Sequence, residues 1–176
     1  MNETPPLTLA DVNALGQAAF TARLGGVFEH SPWVPERAWA RRPFARLADL
    51  HAGMVAAMRA GGEGEKTTLL RAHPELAGRE AKEGRLTAAS TGEQKSAGLD
   101  RLDPAEMRRL AELNAAYRGK FGFPFIIAVR ARTKDVILAE FTKRLSRSAA
   151  EERAAALAEV EIIARIRLER MFGAAA

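Results

Sequence analysis

Helix start and stop signals recur along this chain, and only one stretch of it reads as extended backbone. That balance leaves little room for any fold but an all-α one. Asp103-Pro104-Ala105-Glu106 joins an acidic N-cap, a first-turn proline and an acid at N3. It predicts a helix to about Phe121, with Gly122 as the natural stop. Ser148-Ala149-Ala150-Glu151 is a capping box opening a long final helix to about Met171. Thr8 is a fitting N-cap for a helix expected to reach Leu24 before Gly25-Gly26. Ser31-Pro32 opens a short helix through Trp33, Val34 and Trp39. Phe44, Leu47, Leu50, Met54 and Met58 recur at helical spacing up to Gly61-Gly62. Thr67 to Ala72 reads as helical, and Thr133 starts a helix through Val136, Leu138 and Phe141. The exception is Phe123-Pro124-Phe125-Ile126-Ile127-Ala128-Val129, and one such run cannot build a sheet. We therefore expect a single domain over 1–176, a helical bundle of about seven to nine helices, with one short extended segment (about 123–129) threaded between them.

Composition narrows the function. With 47% hydrophobic residues the chain is not of disordered type, and 176 residues suffice for one core. It has no Cys, which excludes disulfides, thiolate chemistry and Cys-containing zinc sites, and there is no HxxxH or HExxH spacing. No metal site is expected. The N-terminal segment lacks the basic and apolar regions of a signal peptide, no stretch approaches a membrane span, and Phe172-Gly173-Ala174-Ala175-Ala176 is not a Ser-Lys-Leu address. The expectation is a cytoplasmic protein with no membrane partner. The net charge of +5 raises nucleic acid as a partner, but the basic residues are interleaved with acids and only one Tyr and two Trp could stack on bases. A basic helical nucleic-acid-binding domain and a non-catalytic interaction protein stand as the alternatives to an enzyme.

Three residues carry candidate chemistry. His73 closes a helix and is followed by Pro74, which restricts its backbone and fixes the direction of the imidazole. It could serve as a proton-transfer group or simply satisfy last-turn carbonyls. Ser90-Thr91-Gly92-Glu93-Gln94 follows. Ser90-x-x-Glu93 has capping-box spacing, so Glu93 is either a cap residue or a positioned base; in the second case the N–H groups of a helix N-terminus, with Ser90 and Gln94, could hold a polar ligand. On the final helix Val160, Ile163, Ala164, Arg167 and Met171 share one face, which places Arg167 in an apolar stripe, whereas Arg165 falls four residues after Glu161 as an exposed pair. A charge on a buried face needs an anionic partner, either an internal carboxylate or a substrate. His30 and His51 read as local or boundary residues.

These motifs, in order, resemble one family. Phe28-Glu29-His30-Ser31-Pro32-Trp33-Val34 with Arg42-Pro43-Phe44, then His73-Pro74-Glu75-Leu76-Ala77-Gly78, Ser90-x-x-Glu93-Gln94 with Ala97-Gly98-Leu99, Asn114-x-x-Tyr117-x-x-Lys120-Phe121-Gly122-Phe123-Pro124-Phe125 and finally Glu161-Ile162 with Ile166-Arg167-Leu168 are similar to the 2-oxo-4-hydroxy-4-carboxy-5-ureidoimidazoline (OHCU) decarboxylases. Glu75 stands where Asp is commoner. The resemblance implies an all-helical carboxy-lyase that converts OHCU to (S)-allantoin in urate degradation, often as a homodimer and without a cofactor. It implies His73 and Glu93 as the catalytic pair, with Arg167 beside them. It also implies substrate contacts from Pro74, from Ser90, Thr91, Gly92, Glu93 and Gln94, from the backbone of Phe125, Ile126, Ile127, Ala128 and Val129, and from Arg167.

Overall fold

The computed structural model describes residues 6–173; the ends of the 1–176 span, and most of the final Gly-Ala run, lie outside them. Among the described residues there are ten α-helices and one 3-10 turn, and no strand. In chain order the helices are α1 (Leu9–Ala14), α2 (Gln17–Leu24), α3 (Trp33–Ala38), α4 (Leu47–Arg59), α5 (Glu63–Ala72), α6 (Arg79–Lys82), α7 (Ala88–Ser96), α8 (Pro104–Phe121), α9 (Lys134–Arg144) and α10 (Ala149–Met171). The 3-10 turn, Trp39–Arg41, follows α3. The all-α expectation holds. No helix among the described residues is long and apolar enough to cross a membrane.

The strongest caps start helices where expected. The Asp103 carboxylate accepts the Ala105 and Glu106 N–H groups at 2.8 Å, and Glu106 returns a bond to the Asp103 N–H at 2.9 Å. Ser148 and Glu151 make the same reciprocal pair ahead of α10. Gly122 ends α8 in the left-handed region (φ 76°), which only a residue without Cβ adopts freely.

Elsewhere tertiary bonds override the local reading. The expected helix from Thr8 to Leu24 is broken at Leu15-Gly16, both extended. Arg42 Nη1 takes the carbonyls of Asn13 and Leu15 at 2.7 and 2.8 Å, and the Trp39 indole takes that of Leu15 at 3.0 Å. Phe44 lies before α4, not in it, because its N–H and C=O both pair with the Asn13 side chain at 2.9 Å. The helix expected from Thr67 starts four residues earlier, at Glu63, with Glu65 capping the Gly62 N–H at 2.9 Å.

Two compact units make up the chain: one takes residues up to Leu69 and those from Glu161 onward, the other is Leu70–Val160. In the first, Phe20, Leu24, Phe28, Val34, Leu50, Met54 and Met58 are fully buried and the Phe20 and Phe44 rings stack at 6.3 Å. In the second, the Tyr117 ring meets Phe121, Phe123, Phe125 and Phe141 at 4.7 to 5.9 Å between centroids. Truncating one such ring to Ala costs on the order of 3–5 kcal/mol. The Tyr117 hydroxyl donates to Glu152, which also accepts from Arg144 Nε at 2.7 Å. Burial, reinforced by that carboxylate, pushes the Tyr117 phenol well above its ordinary range, so it remains a donor.

Candidate active site

His73 stands one residue beyond α5, its N–H still bonded to the Leu70 carbonyl at 3.3 Å, and it is buried. Pro74, half-buried, has no N–H to continue the helix and turns the chain into the loop Glu75–Gly78. The loop is tightly specified. Gly78 N–H closes a turn onto Glu75 O, Ala77 sits at φ 46°, and a Cβ on Gly78 would lie 2.5 Å from that of Glu75. Three side chains then clamp it. Gln94 Oε1 accepts the Ala77 N–H at 2.8 Å while Gln94 Nε2 donates to Glu75 O at 3.2 Å. Asn114 Nδ2 donates to Leu76 O at 3.0 Å, and Arg118 Nε to the Glu75 carboxylate at 2.8 Å. The Glu75 carboxylate is thereby committed to holding the loop. Gly78→Ala should accordingly cost on the order of 1–3 kcal/mol by overpacking and slacken the position of His73; a lowered melting temperature together with lowered activity is the expected result, and an unchanged melt would refute the close approach.

The structure corrects the reading of Ser90 as an N-cap. Helix α7 begins at Ala88, and its cap is Thr87, whose Oγ1 accepts the Ser90 N–H at 3.2 Å. Ala88-Ala89 are strong helix formers and let the helix start a turn earlier. The Ser90 and Thr91 N–H groups are therefore spent on Thr87, at 3.2 and 2.9 Å, and the free N-terminal donors expected there are not available at these two residues. What α7 offers is side chains: Ser90 and Gln94 are buried, Glu93 is half-buried, and Thr91 and Gly92 are exposed. Glu93 lies in the body of the helix and closes no capping box with Ser90. Of the sequence-derived candidates, the loop after His73-Pro74 and the helix that carries Glu93 are thus tied together, through Gln94.

A cavity of about 330 Å³ opens beside this loop, lined by Ala77, Thr91, Gln94, Lys95, Leu99 and Met107 among others, but not by His73 or Glu93. Thr91 and Lys95 each stand two residues from Glu93, about 200° around the helix, so the cavity faces the other side of α7.

All seven residues of the 123–129 segment are buried, in neither helix nor strand. Their backbone is less available than expected: Ile126 O accepts from Arg144 Nη1 at 2.8 Å, Ala128 N–H donates to Glu159 Oε2 at 2.8 Å, and Val129 O accepts the Arg132 N–H at 3.1 Å. No intramolecular hydrogen bond among the described residues engages Ile127.

Arg167 belongs to the other unit. It is buried on the predicted face of α10 with Val160, Ile163 and Ala164, while Arg165 is exposed. Its Nη1 bonds Glu29 Oε2 at 2.6 Å and Gly26 O at 3.2 Å, so an internal carboxylate, itself buried, does partner it. The expected Glu161–Arg165 pair is replaced: Glu161 is held by Arg59 at 2.7 and 2.8 Å. His51 Nε2 lies 2.8 Å from the Glu161 carbonyl, and His30 is an exposed turn residue at φ 48°. Gln94, Asn114, Arg144, Glu159 and Glu29 were not singled out for these roles from sequence. Only Asn114, Gln94 and Glu29 lay within a recognisable motif; Arg144 reads as a last-turn dipole partner and Glu159 as a solvated helix acid. Among the described residues no group of three His, Asp or Glu is placed to hold a metal ion.

The fold is thus an all-helical scaffold in which Gln94 pins the loop after the buried His73 to the helix that carries Glu93. The family model for OHCU decarboxylase matches residues 13–169, and the chain belongs to that family. It is 41% identical over 167 residues to the OHCU decarboxylase of Amia calva, covering 93% of each chain. It is 39% identical over 165 residues to that of Halalkalicoccus jeotgali, covering 94% of this chain and 92% of the other. It resembles the crystal structure of (S)-allantoin synthase with a TM-score of 0.75 and 31% identity, over 94% of this chain and 54% of that one. An OHCU decarboxylase crystallised in the presence of (S)-allantoin shares the fold, with a TM-score of 0.68 at 19% identity, over 90% of this chain and 99% of the other.

Proposed function

We propose that this chain decarboxylates OHCU to (S)-allantoin in urate degradation, with His73 and Glu93 as the proton-transfer pair. The observation that carries the reading is the clamp by Gln94, which fixes the loop after His73-Pro74 against the helix bearing Glu93. The cap position no longer explains Glu93, since Thr87 fills it. In the reaction the bond from the ring carbon to the carboxylate breaks, its electron pair stays on the ring as an enolate-like anion, and CO2 leaves. A proton added on one face then gives (S)-allantoin. Glu93 orients His73 and the substrate hydroxyl, His73 handles the proton, and fixed donors stabilise the anion. Pro74, Ser90 and the backbone of the Phe125–Val129 segment hold the substrate, and Arg167 supplies a positive group for its anionic part.

The catalytic domain is taken to be the whole of 1–176, since the family match runs through both units. A homodimer in the cytoplasm is the assembly and location the family resemblance supports. The direct test is to generate OHCU from urate enzymatically, add the protein, and follow optically active allantoin by circular dichroism. Faster appearance of the (S) signal is expected; OHCU decay at the uncatalysed rate, giving racemic product, would overturn the assignment. Activity should also survive exhaustive chelation and dialysis, and loss that a divalent ion restores would contradict proton transfer by side chains alone.

A further inference from the structure

We infer that Arg144 and Glu159 are positioning residues that hold the 123–129 segment so that the peptide groups of Ile127 face the substrate. The inference rests on the reading of the site given above and extends it to two residues that no motif marks. Arg144 ends α9, where a cation ordinarily lies at the surface beside the last carbonyls, yet its side chain is 2% exposed. A guanidinium buried to that degree needs its charge and donors satisfied. Arg144 meets the charge with Glu152, through an Nε hydrogen bond at 2.7 Å and an Nη2 contact that makes no hydrogen bond, and it has the Phe125 ring 4.5 Å beneath it and the Ile126 carbonyl on Nη1 at 2.8 Å. Glu159, on α10, spends Oε2 on the Ala128 N–H at 2.8 Å and has Oε1 3.4 Å from Arg132. One cation and one anion thus grip the backbone on either side of Ile127.

In extended backbone the polar groups of successive residues point to opposite edges, so those of Ile126 and Ala128 share one. Gripping Ile126 O and Ala128 N–H ties down one edge and turns the N–H and C=O of Ile127 to the other. Ile127 is buried, and buried peptide groups need partners. One N–H beside one C=O is the complement of a ureido or ring-amide unit, which carries a donor and an acceptor side by side.

The test separates positioning from mere stability. Glu159→Ala removes the acceptor for Ala128 N–H, whereas Glu159→Gln keeps an amide oxygen there while losing the charge. Arg132→Gln removes the ion pair alone. A slackened segment binds substrate less well, so Glu159→Ala should raise KM about tenfold with kcat within about threefold of wild type. Simple loss of folded enzyme would lower kcat at constant KM. Glu159→Gln should restore KM, and Arg132→Gln should leave it unchanged. Arg144→Lys, which cannot reach both Glu152 and Ile126 O with one nitrogen, should also raise KM. Should Glu159→Ala fail to fold, Glu159→Gln with normal KM and Arg144→Lys with raised KM support the inference. Normal KM in both Glu159→Ala and Arg144→Lys, or a Glu159→Gln as impaired as the alanine variant, overturns it. An inactive wild-type protein in the same assay would instead sink the assignment of the reaction.

Discussion

His73→Asn and Glu93→Gln should each lower the rate of (S)-allantoin formation by roughly 10²–10⁴ while the protein stays folded, because each removes a positioned proton-transfer group and keeps the shape of the side chain. The structure sharpens the second substitution. Were Glu93 the N3 residue of a capping box, Gln would serve in its place and the change would be nearly silent. Thr87 is the cap, and Glu93 sits in the middle of α7, so a rate loss cannot be assigned to an unravelled helix start. Kinetics below the melting transition, with far-UV circular dichroism as the folding control, decide the matter. A Glu93→Gln enzyme with wild-type turnover would remove that residue from the mechanism, and a His73→Asn enzyme with wild-type turnover would remove the pair.

Glu29→Ala is expected to destabilise the protein by about 3–5 kcal/mol, since it strands the guanidinium of Arg167 without its carboxylate in a buried site. The two side chains are 2% and 4% exposed and 2.6 Å apart, so solvent screens the pair little. Arg167→Lys retains the charge, but one ammonium replaces a planar set of donors, and substrate handling should suffer clearly. Arg165→Lys, on the exposed side of the same helix, should stay within about 0.5 kcal/mol of wild type and keep its kinetics. Denaturant unfolding of the Glu29 variant and kinetics of the two lysine variants check this. A crippled Arg165→Lys beside a normal Arg167→Lys would move the anion-binding role to Arg165. Full stability in Glu29→Ala would mean that the buried pair contributes nothing.

Where a segment's own residues satisfied its backbone, the sequence sufficed to place it. Asp103 with Glu106 and Ser148 with Glu151 close reciprocal bonds across three residues, so α8 and α10 begin where those patterns stand. The inward phase of Arg167 follows from helical spacing, which needs no partner to be known. Helix α5 likewise ends at Ala72, just ahead of His73-Pro74, because the proline's restriction is local. Where the deciding bond came from far along the chain, the local reading failed. Asn13 and Leu15 give their carbonyls to Arg42, and a helix that looked continuous from Thr8 breaks. Phe44 has the right spacing for α4 but bonds Asn13 instead. The Ser90 reading failed by competition: two caps lay three residues apart, and the one followed by Ala-Ala won.

The sequence by itself determined the all-helical class, the residue types able to do acid–base chemistry, and which face of the last helix carries a buried charge, because each depends on spacing within one element. Only the tertiary structure decided what those residues touch. It gave Arg167 to Glu29, withdrew Glu161 from Arg165 in favour of Arg59, and committed Gln94 to the loop after His73. It also set Arg144 and Glu159 on the backbone around Ile127. The physical reason is range. A cap or a helical phase is settled within one or two turns, whereas a buried charge or a backbone group outside a helix takes its partner from whatever the packing brings within about 3 Å, and sequence distance places no limit on that choice.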